Sequence, residues 1–437
     1  MNEIHILGKY PMYGELEVQG SKNAVLPLMA ASLLHRGVTT LEHVPDITDV
    51  GCMVRILESL GAVVVREKSR MTIDASCISF CEIPLEEVCK MRSSIMVLGP
   101  LIARMRRAVT YYPGGCSIGR RPVDYHIRLL RELGIKILEE DGRIEAVAEN
   151  YCGTVITLDF PSVGATENAI LAATGAKGET VICGCAREPE IVELCAFLQA
   201  MGIETVGAGT DRIRVWGQIS KRDPHVRIHG DRIAAGTYLA AAAVAGGEIT
   251  LTGAPVTSMK ATLQALCGCG CLIQTEGDHI HMKAPRHLRT IPYLETTVYP
   301  GFPTDMQSIL LAVQCCGAGE GRMQETIFEG RFETAAQFNK MGARISVESA
   351  LPGCEGCISA AGCDGMGYIA RIQAGEGLHG AHVTATDLRG GAALVVAGLG
   401  AMGETIVHQC HHIDRGYEDM VGNLQKLGAR IHRITGT

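Results

Sequence analysis

Aromatic side chains are scarce in this 437-residue chain: 4% of the total, with a single Trp and only 7 Phe. A core short of large rings must be assembled mostly from Ala, Val, Leu and Ile. Also missing is any apolar run approaching the ~20 residues that cross a bilayer. The longest stretches, such as "TYLAAAAVAGGEITLTG", are short and broken by glycine, so no membrane span is expected. The opening "MNEIHILGKYPMYG" has no basic segment leading into an apolar one, so no secretory signal is expected either, and the chain reads as cytoplasmic. There is no basic excess: 47 acidic against 40 basic residues leave a formal net charge of −7. A nucleic-acid binder normally shows the opposite balance. No block of like charge is long enough for an interaction tail. An anionic ligand would have to be held by a local cluster of cations in an acidic protein.

What is present is length, glycine and cysteine. Single cores stop growing near roughly 250–300 residues, so two domains are expected. Glycine is abundant, at 52 residues, which implies many tight turns. Without a secretory signal the 18 cysteines say nothing about disulfides. Two clusters raise a metal question, Cys267-Gly-Cys269-Gly-Cys271 and Cys354…Cys357…Cys363. The spacing of two in the first suits strand alternation better than a closed zinc tetrad. The second has one Cys-x-x-Cys without a matching pair. No metal or other cofactor is expected, and most of the thiols read as small buried hydrophobes.

A repeat runs through the chain. Six times an amphipathic helix is followed by Leu/Met-Gly-Ala/Ile or a close variant and a β-branched run, as in "ILESLGAVVV", "LLRELGIKIL" and "LQKLGARIHRI". The marker glycines Gly61, Gly134, Gly202, Gly270, Gly342 and Gly428 recur at intervals of 73, 68, 68, 72 and 86 residues. Glycine supplies the left-handed cap that ends the helix, and the Val/Ile-rich run is a strand. Upstream lie helices apolar nearly all round, such as "KNAVLPLMAASLL", "TENAILAATGA" and "DRIAAGTYLAAAAVA", a pattern that belongs inside a domain. Six units divide into three plus three. The break is expected near "KRDPHVRIHG", where Pro224 and flanking charges suit a linker, which gives domains at 22–229 and at 1–21 with 230–437. The last interval is longer than the one before it by about 14 residues, so an insertion is expected near 348–380.

The motifs "GSKNAVLP", "MRSSIMVLGP", "PGGCSIGRRPVDYHI", "PSVGATEN", "AREPEI", "FPTDMQ", "ATDLR" and "HIDRGYE" together resemble the UDP-N-acetylglucosamine 1-carboxyvinyltransferase family of enolpyruvyl transferases. The resemblance runs over essentially the whole chain outside the expected insertion. It implies a two-domain inside-out α/β barrel of six βαβαββ-like units, three per domain, with buried helices and outward sheets. It implies transfer of the enolpyruvyl group of phosphoenolpyruvate to the 3′-hydroxyl of UDP-N-acetylglucosamine with loss of phosphate. That is the first committed step toward peptidoglycan. The sister family, which acts on shikimate phosphate, generally lacks the cysteine loop. A non-catalytic paralogue that binds the nucleotide sugar is a further alternative.

Cys116 lies among glycines with Arg120 and Arg121 just behind it. Glycine lets a backbone approach a ligand closely, and adjacent cations favour a thiolate from a starting pKa near ~8.5. The resemblance makes Cys116 the acid that protonates phosphoenolpyruvate and a site of covalent adduct formation, open to epoxides of the fosfomycin class. Lys22 falls at a helix start, where N–H groups favour anions; a solvated capping lysine is the plainer reading. Asp305 can take the proton of the sugar hydroxyl, or simply cap the helix that begins "MQSILLAV". Arginine grips carboxylate or phosphate bidentately. By resemblance Arg121, Arg389 and Arg415 join Lys22 around phosphoenolpyruvate, Arg92 faces the nucleotide sugar, and Asn23 contacts substrate. Pro122, Val123, Asp124 and Tyr125 line the uridine pocket in the same way, and Ser162, Val163 and Gly164 offer N–H groups to the diphosphate in a nest-like arrangement. Ile327, Glu329 and Arg331 belong to the same wall. His126 reads as a packed helix residue rather than a proton shuttle. Departures from the family pattern are Ala234, Gly390, Gly391, the extra Arg120 and Phe160-Pro161.

Overall fold

The computed structural model describes residues 2–114, 123–349, 367–373, 375 and 377–435. It falls into two compact units, one of residues 2–19 and 230–435, the other of 20–114 and 123–229. The expected insertion falls largely on residues outside the described ones, together with Cys354, Cys357 and Cys363. Its flanking strands Arg344–Ser349 and Tyr368–Gln373 pair antiparallel from Ser349↔Tyr368 onward.

Among the described residues each unit carries three sheets. In the 20–229 unit one sheet orders His225–Arg227, Val38–Glu42, Arg70–Asp74 and Val63–Glu67. A hairpin and one central strand run antiparallel, and the edge strand is parallel. The same plan recurs as Met12–Glu17, Gly247–Thr252, His279–Lys283 and Leu272–Glu276 in the other unit. The stretch read as a linker therefore contains an edge strand. Main-chain donors need partners, and here Thr40 N–H finds Pro224 C=O at 2.9 Å.

The units share their local logic with the sequence repeat. All six marker glycines have positive φ, between 85° and 104°, which L-residues rarely adopt. Each ends a helix and turns the chain into a hairpin strand, as Gly61 does between Thr48–Ser59 and Val63–Glu67. The Cys267–Cys271 cluster is one of these junctions and not a strand. Cys267 lies in the last turn of the helix Lys260–Gly268, Cys269 caps it, Gly270 turns, and the strand starts only at Leu272. Cys269 and Cys271 are buried, and burial pushes both thiols up to about 12.

The helices apolar on every side are interior. Arg232–Ala245, Gln307–Cys315 and Leu388–Gly400 pack on one another in one unit, and nearly every side chain in them is buried. In the other, Lys22–Ala31, Leu98–Met105 and Val163–Ala173 contribute to a separate core, with Leu98–Met105 packed on Val163–Ala173. Among the described residues no helix is long and apolar enough to cross a membrane.

Gly134→Ala tests the turn. An added Cβ meets nothing closer than Tyr151 Cβ at 3.8 Å, so the cost is that of a left-handed backbone, about 1–2 kcal/mol. Urea denaturation should show a lower midpoint with an unchanged slope.

Candidate active site

Burying a helix points its N-terminus, with unpaired N–H groups and the positive end of its dipole, at whatever lies beyond. The residues singled out by chemistry cluster at such ends. In the unit of 2–19 and 230–435, Asp231 caps Arg232–Ala245, accepting from Ile233 and Ala234 N–H at 2.8 and 3.0 Å. Asp387 caps Leu388–Gly400 in the same way, accepting from Arg389 and Gly390 N–H. Asp305 sits in the 3₁₀ turn Thr304–Met306 that leads into Gln307–Cys315.

Asp305 joins these ends. Its Oδ1 accepts from Arg331 Nη2 at 2.6 Å and its Oδ2 from Arg389 Nη2 at 3.3 Å. Both arginine side chains are about 4% exposed, against 26% for Asp305. The N-cap reading of Asp305 is corrected here: Met306 occupies the cap of Gln307–Cys315, and no side chain caps that helix. Burial opposes the charge on Arg389, but the Asp305 carboxylate, with Tyr417 and Asp231 behind it, holds the guanidinium protonated. Its plane lies over the Tyr417 ring at 5.6 Å. Arg389 Nη1 is buried without an acceptor among the described residues, a donor suited to an anion. Gly390 and Gly391 explain two departures from the family pattern. A Cβ at Gly390 would come within 2.6 Å of Asp387 and Thr334 oxygens, and one at Gly391 within 2.9 Å of Ala385 and Ile413.

Sequence reasoning missed the supports. Glu325 is buried in a strand, where its carboxylate accepts from Thr304 Oγ1 and from the Ile327 and Phe328 N–H groups. It thereby fixes both the turn bearing Asp305 and the segment leading to Arg331. Burial raises its pKa despite those bonds and the Arg331 charge. Gln19 fastens the loop after Arg415, donating to Gly416 C=O at 3.0 Å and accepting from Glu418 N–H at 2.8 Å. Arg415 ends the 3₁₀ turn Cys410–Arg415 and Ile327 is half-buried, whereas Glu329 is exposed. Glu325 ends a strand that also holds Arg322 and Gln324, so no break in an apolar pattern marked it. Nothing in the sequence singled out Gln19.

In the 20–229 unit Lys22 is the first residue of its helix, behind the Ser21 cap, and its Nζ lies 2.8 Å from Asp49. At 8% exposure it is not a solvated capping lysine. Arg92 opens the 3₁₀ helix Arg92–Val97, and Asp124 opens the helix Asp124–Glu132. With Val123, Tyr112, Arg128 and Arg131 they line a cavity of about 470 Å³. Asn168 holds its walls together. It accepts from Gly99 N–H at 2.8 Å, donates to Ile95 C=O at 3.3 Å and meets His126 Nδ1 at 3.1 Å. His126 is thus a packed helix residue, and Tyr125 is half-buried against the core. Asn23 is half-buried beside Lys22. Ser162, Val163 and Gly164 form a helix N-terminus rather than a nest: Ser162 is extended and caps Val163–Ala173. Cys116, Arg120, Arg121 and Pro122 lie outside the described residues.

Glu167, on that same buried helix, also went unremarked. It is fully buried, and neither carboxyl oxygen has a hydrogen-bond partner among the described residues. Burial, then the nearby Glu190 and Glu188, push its carboxyl well above the usual range.

Comparison with known proteins follows this geometry. The family model for EPSP synthase (3-phosphoshikimate 1-carboxyvinyltransferase) matches residues 7–424. The chain belongs to this carboxyvinyltransferase, or enolpyruvyl transferase, family. Its curated relatives narrow the likeness. It is 42% identical over 436 residues to UDP-N-acetylglucosamine 1-carboxyvinyltransferase 2 of Mesorhizobium japonicum, covering 100% of both chains. It is 41% identical over 434 residues to the protein of the same name from Caldanaerobacter subterraneus, covering 99% of this chain and 100% of the relative. The fold matches the enolpyruvyl transferase NikO of Streptomyces tendae with a TM-score of 0.86 at 23% identity, over 100% of this chain and 99% of that one. It matches Acinetobacter baumannii EPSP synthase at 0.73 and 16% identity, over 100% of both.

Glu167→Gln tests the buried acid. An unfolded Glu ionises near ~4.3, while the folded chain keeps the proton. Stability conferred by the protonated form is therefore lost as pH rises above that value. The stability difference between Glu167→Gln and the parent should grow from pH 5.5 to pH 8, by at most about 1.4 kcal/mol per pH unit, measured by denaturant titration at each pH.

Proposed function

We propose that this protein transfers the enolpyruvyl group of phosphoenolpyruvate to the 3′-hydroxyl of UDP-N-acetylglucosamine and releases phosphate, the first committed step toward peptidoglycan, in the cytoplasm. The observation that carries the reading is Asp305 held between two buried arginines at a helix N-terminus, in a chain similar along its whole length to proteins named for that reaction. The sheets and buried helices read as six copies of one βαβαββ-like unit in an inside-out barrel, with domains at 22–229 and at 1–21 with 230–437.

Chemistry assigns the roles. The Cys116 thiol gives its proton to carbon 3 of phosphoenolpyruvate. Carbon 2 becomes electrophilic and is attacked by the 3′-oxygen, whose proton passes to Asp305. The tetrahedral ketal then gives a carbon-3 proton back to the Cys116 thiolate as the bond from carbon 2 to the phosphate oxygen breaks, and the departing phosphate takes the proton held by Asp305. Lys22, Arg121, Arg389 and Arg415 hold the phosphate and carboxylate, with charge placed where it develops. Asn23, Arg92, Pro122, Val123, Asp124 and Tyr125 hold the nucleotide sugar with Ile327 and Arg331, and the Ser162–Val163–Gly164 helix end takes the diphosphate. A carboxylate between two guanidinium groups is ionised but weakly basic. An arginine that turns toward the substrate phosphate or carboxylate leaves Asp305 a stronger base.

Phosphate release from phosphoenolpyruvate plus UDP-N-acetylglucosamine tests the reading. We expect turnover with this acceptor and none with shikimate 3-phosphate; the reverse would make the protein a shikimate-pathway enzyme. Asp305→Asn should lower kcat about 10²–10⁴-fold. Cys116→Ala should abolish turnover, whereas Cys116→Asp should retain it and lose sensitivity to epoxides, because an acid remains but the nucleophile does not. Calorimetric binding of the nucleotide sugar without any phosphate release would mark a non-catalytic paralogue.

A further inference from the structure

One sheet of the 2–19 and 230–435 unit carries an unusual outer face. Its strands are ordered His382–Thr384, Glu404–His408, Asn2–Leu7 and Arg430–Thr435. Strand alternation sends Val383, Val407, Ile4, Ile6 and Ile431 into the core. The residues between them face outward, and they include four of the chain's 15 histidines, His5, His382, His408 and His432, with Glu3 and Glu404.

These side chains form a connected set. His382 Nδ1 lies 3.2 Å from His408 Nε2, with the rings stacked at 5.4 Å. The other nitrogen of His408, Nδ1, is 3.1 Å from Glu3 Oε1. Glu3 Oε2 is 3.6 Å from His5 Nε2, and His5 Nδ1 is 3.0 Å from Glu404. His5 stacks on His432 at 5.0 Å. Register places the pair: Thr384 is opposite His408 and His382 opposite Ile406, so the two histidines are diagonal neighbours on one face. Glu3 is directly opposite His408 on the next strand.

We propose that His382 and His408 form a chelate for a divalent transition-metal ion, with Glu3 orienting His408 from behind. Two metal–nitrogen bonds of ~2.0–2.1 Å at a tetrahedral angle separate the nitrogens by about 3.3 Å, close to the separation already present. A carboxylate receiving the far N–H of a ligating imidazole is the usual outer partner of such ligands: it fixes the tautomer and leaves the facing nitrogen its lone pair. Among the described residues no three His, Cys, Asp or Glu side chains already converge as a metal cage, so water completes the coordination. The ion would tie the edge strand to its neighbour.

Titrating the full-length protein with Zn²⁺ alone at pH 7.5 by calorimetry tests this. The expected result is a binding event that His382→Ala and His408→Ala each weaken at least about tenfold, and that Glu3→Gln weakens about 10–100-fold. It should weaken as the pH is lowered, because protons and metal compete for the same ring nitrogens. Zn²⁺ should raise the unfolding temperature of the parent and not of His382→Ala, a change at an exposed edge position that leaves phosphate release unaltered. The parent and both histidine variants share all 18 thiols, so metal bound at cysteine cancels in the comparison. Equal Zn²⁺ binding by the parent and both histidine variants, or no binding by the parent, overturns the proposal.

Discussion

A helix with no polar side must be covered on all sides, and that requirement organises this chain. Arg232–Ala245 and Leu388–Gly400 are built almost wholly of Ala, Val, Leu and Gly. Burying them beneath sheets satisfies their side chains and leaves their first N–H groups to be met by something else. Asp231 and Asp387 meet them as caps. The sheets, in turn, need only one apolar face, which is why residues such as Glu3, His5 and Glu404 can sit on the other.

Placing ionisable groups at those ends has electrostatic consequences. Arg331 and Arg389 are buried, and a buried cation is tolerated only when paired. Asp305 pairs with both at once, and its carboxylate holds the Arg389 guanidinium protonated. The arrangement is rigid on its inner side, where Glu325 ties down the turn before Gln307–Cys315 and Tyr417 lies under Arg389. It leaves Asp305 the most accessible of the three. A partly exposed carboxylate backed by fixed positive charge suits a reaction whose substrates are anions and whose key step moves one proton.

The other unit adds neutral hydrogen bonding to its buried Lys22–Asp49 ion pair. Asn168, in the middle of a buried helix, spends its amide on three neighbouring elements and so fixes the positions of the Arg92 and Asp124 segments around the cavity. Glu167, next to it in sequence, has no such partners among the described residues, and burial pushes its carboxyl well above the usual range. Adjacent polar residues on one helix thus take opposite solutions to burial, one by saturating its hydrogen bonds and one by keeping its proton.

Much of this was legible in the amino-acid order. The helix–glycine–strand junctions were readable because a left-handed turn admits few residues besides glycine. The interior helices were readable because nothing else tolerates apolar side chains on every face. Lys22, Arg92 and Arg389 were legible as types suited to anions, and Asp305 as a proton acceptor. Reading failed where the deciding partner is distant in the chain. The alternative of Asp305 as a local cap could be offered because its partners, Arg331 and Arg389, are 26 and 84 residues away. Gln19 had no signal because it acts on residues some 400 positions later, and the histidine face exists only because the first and last strands pair side by side. Local backbone preference is written into short stretches of sequence. The company a side chain keeps, and therefore its charge, is set by which distant strands and helices the fold brings to its side.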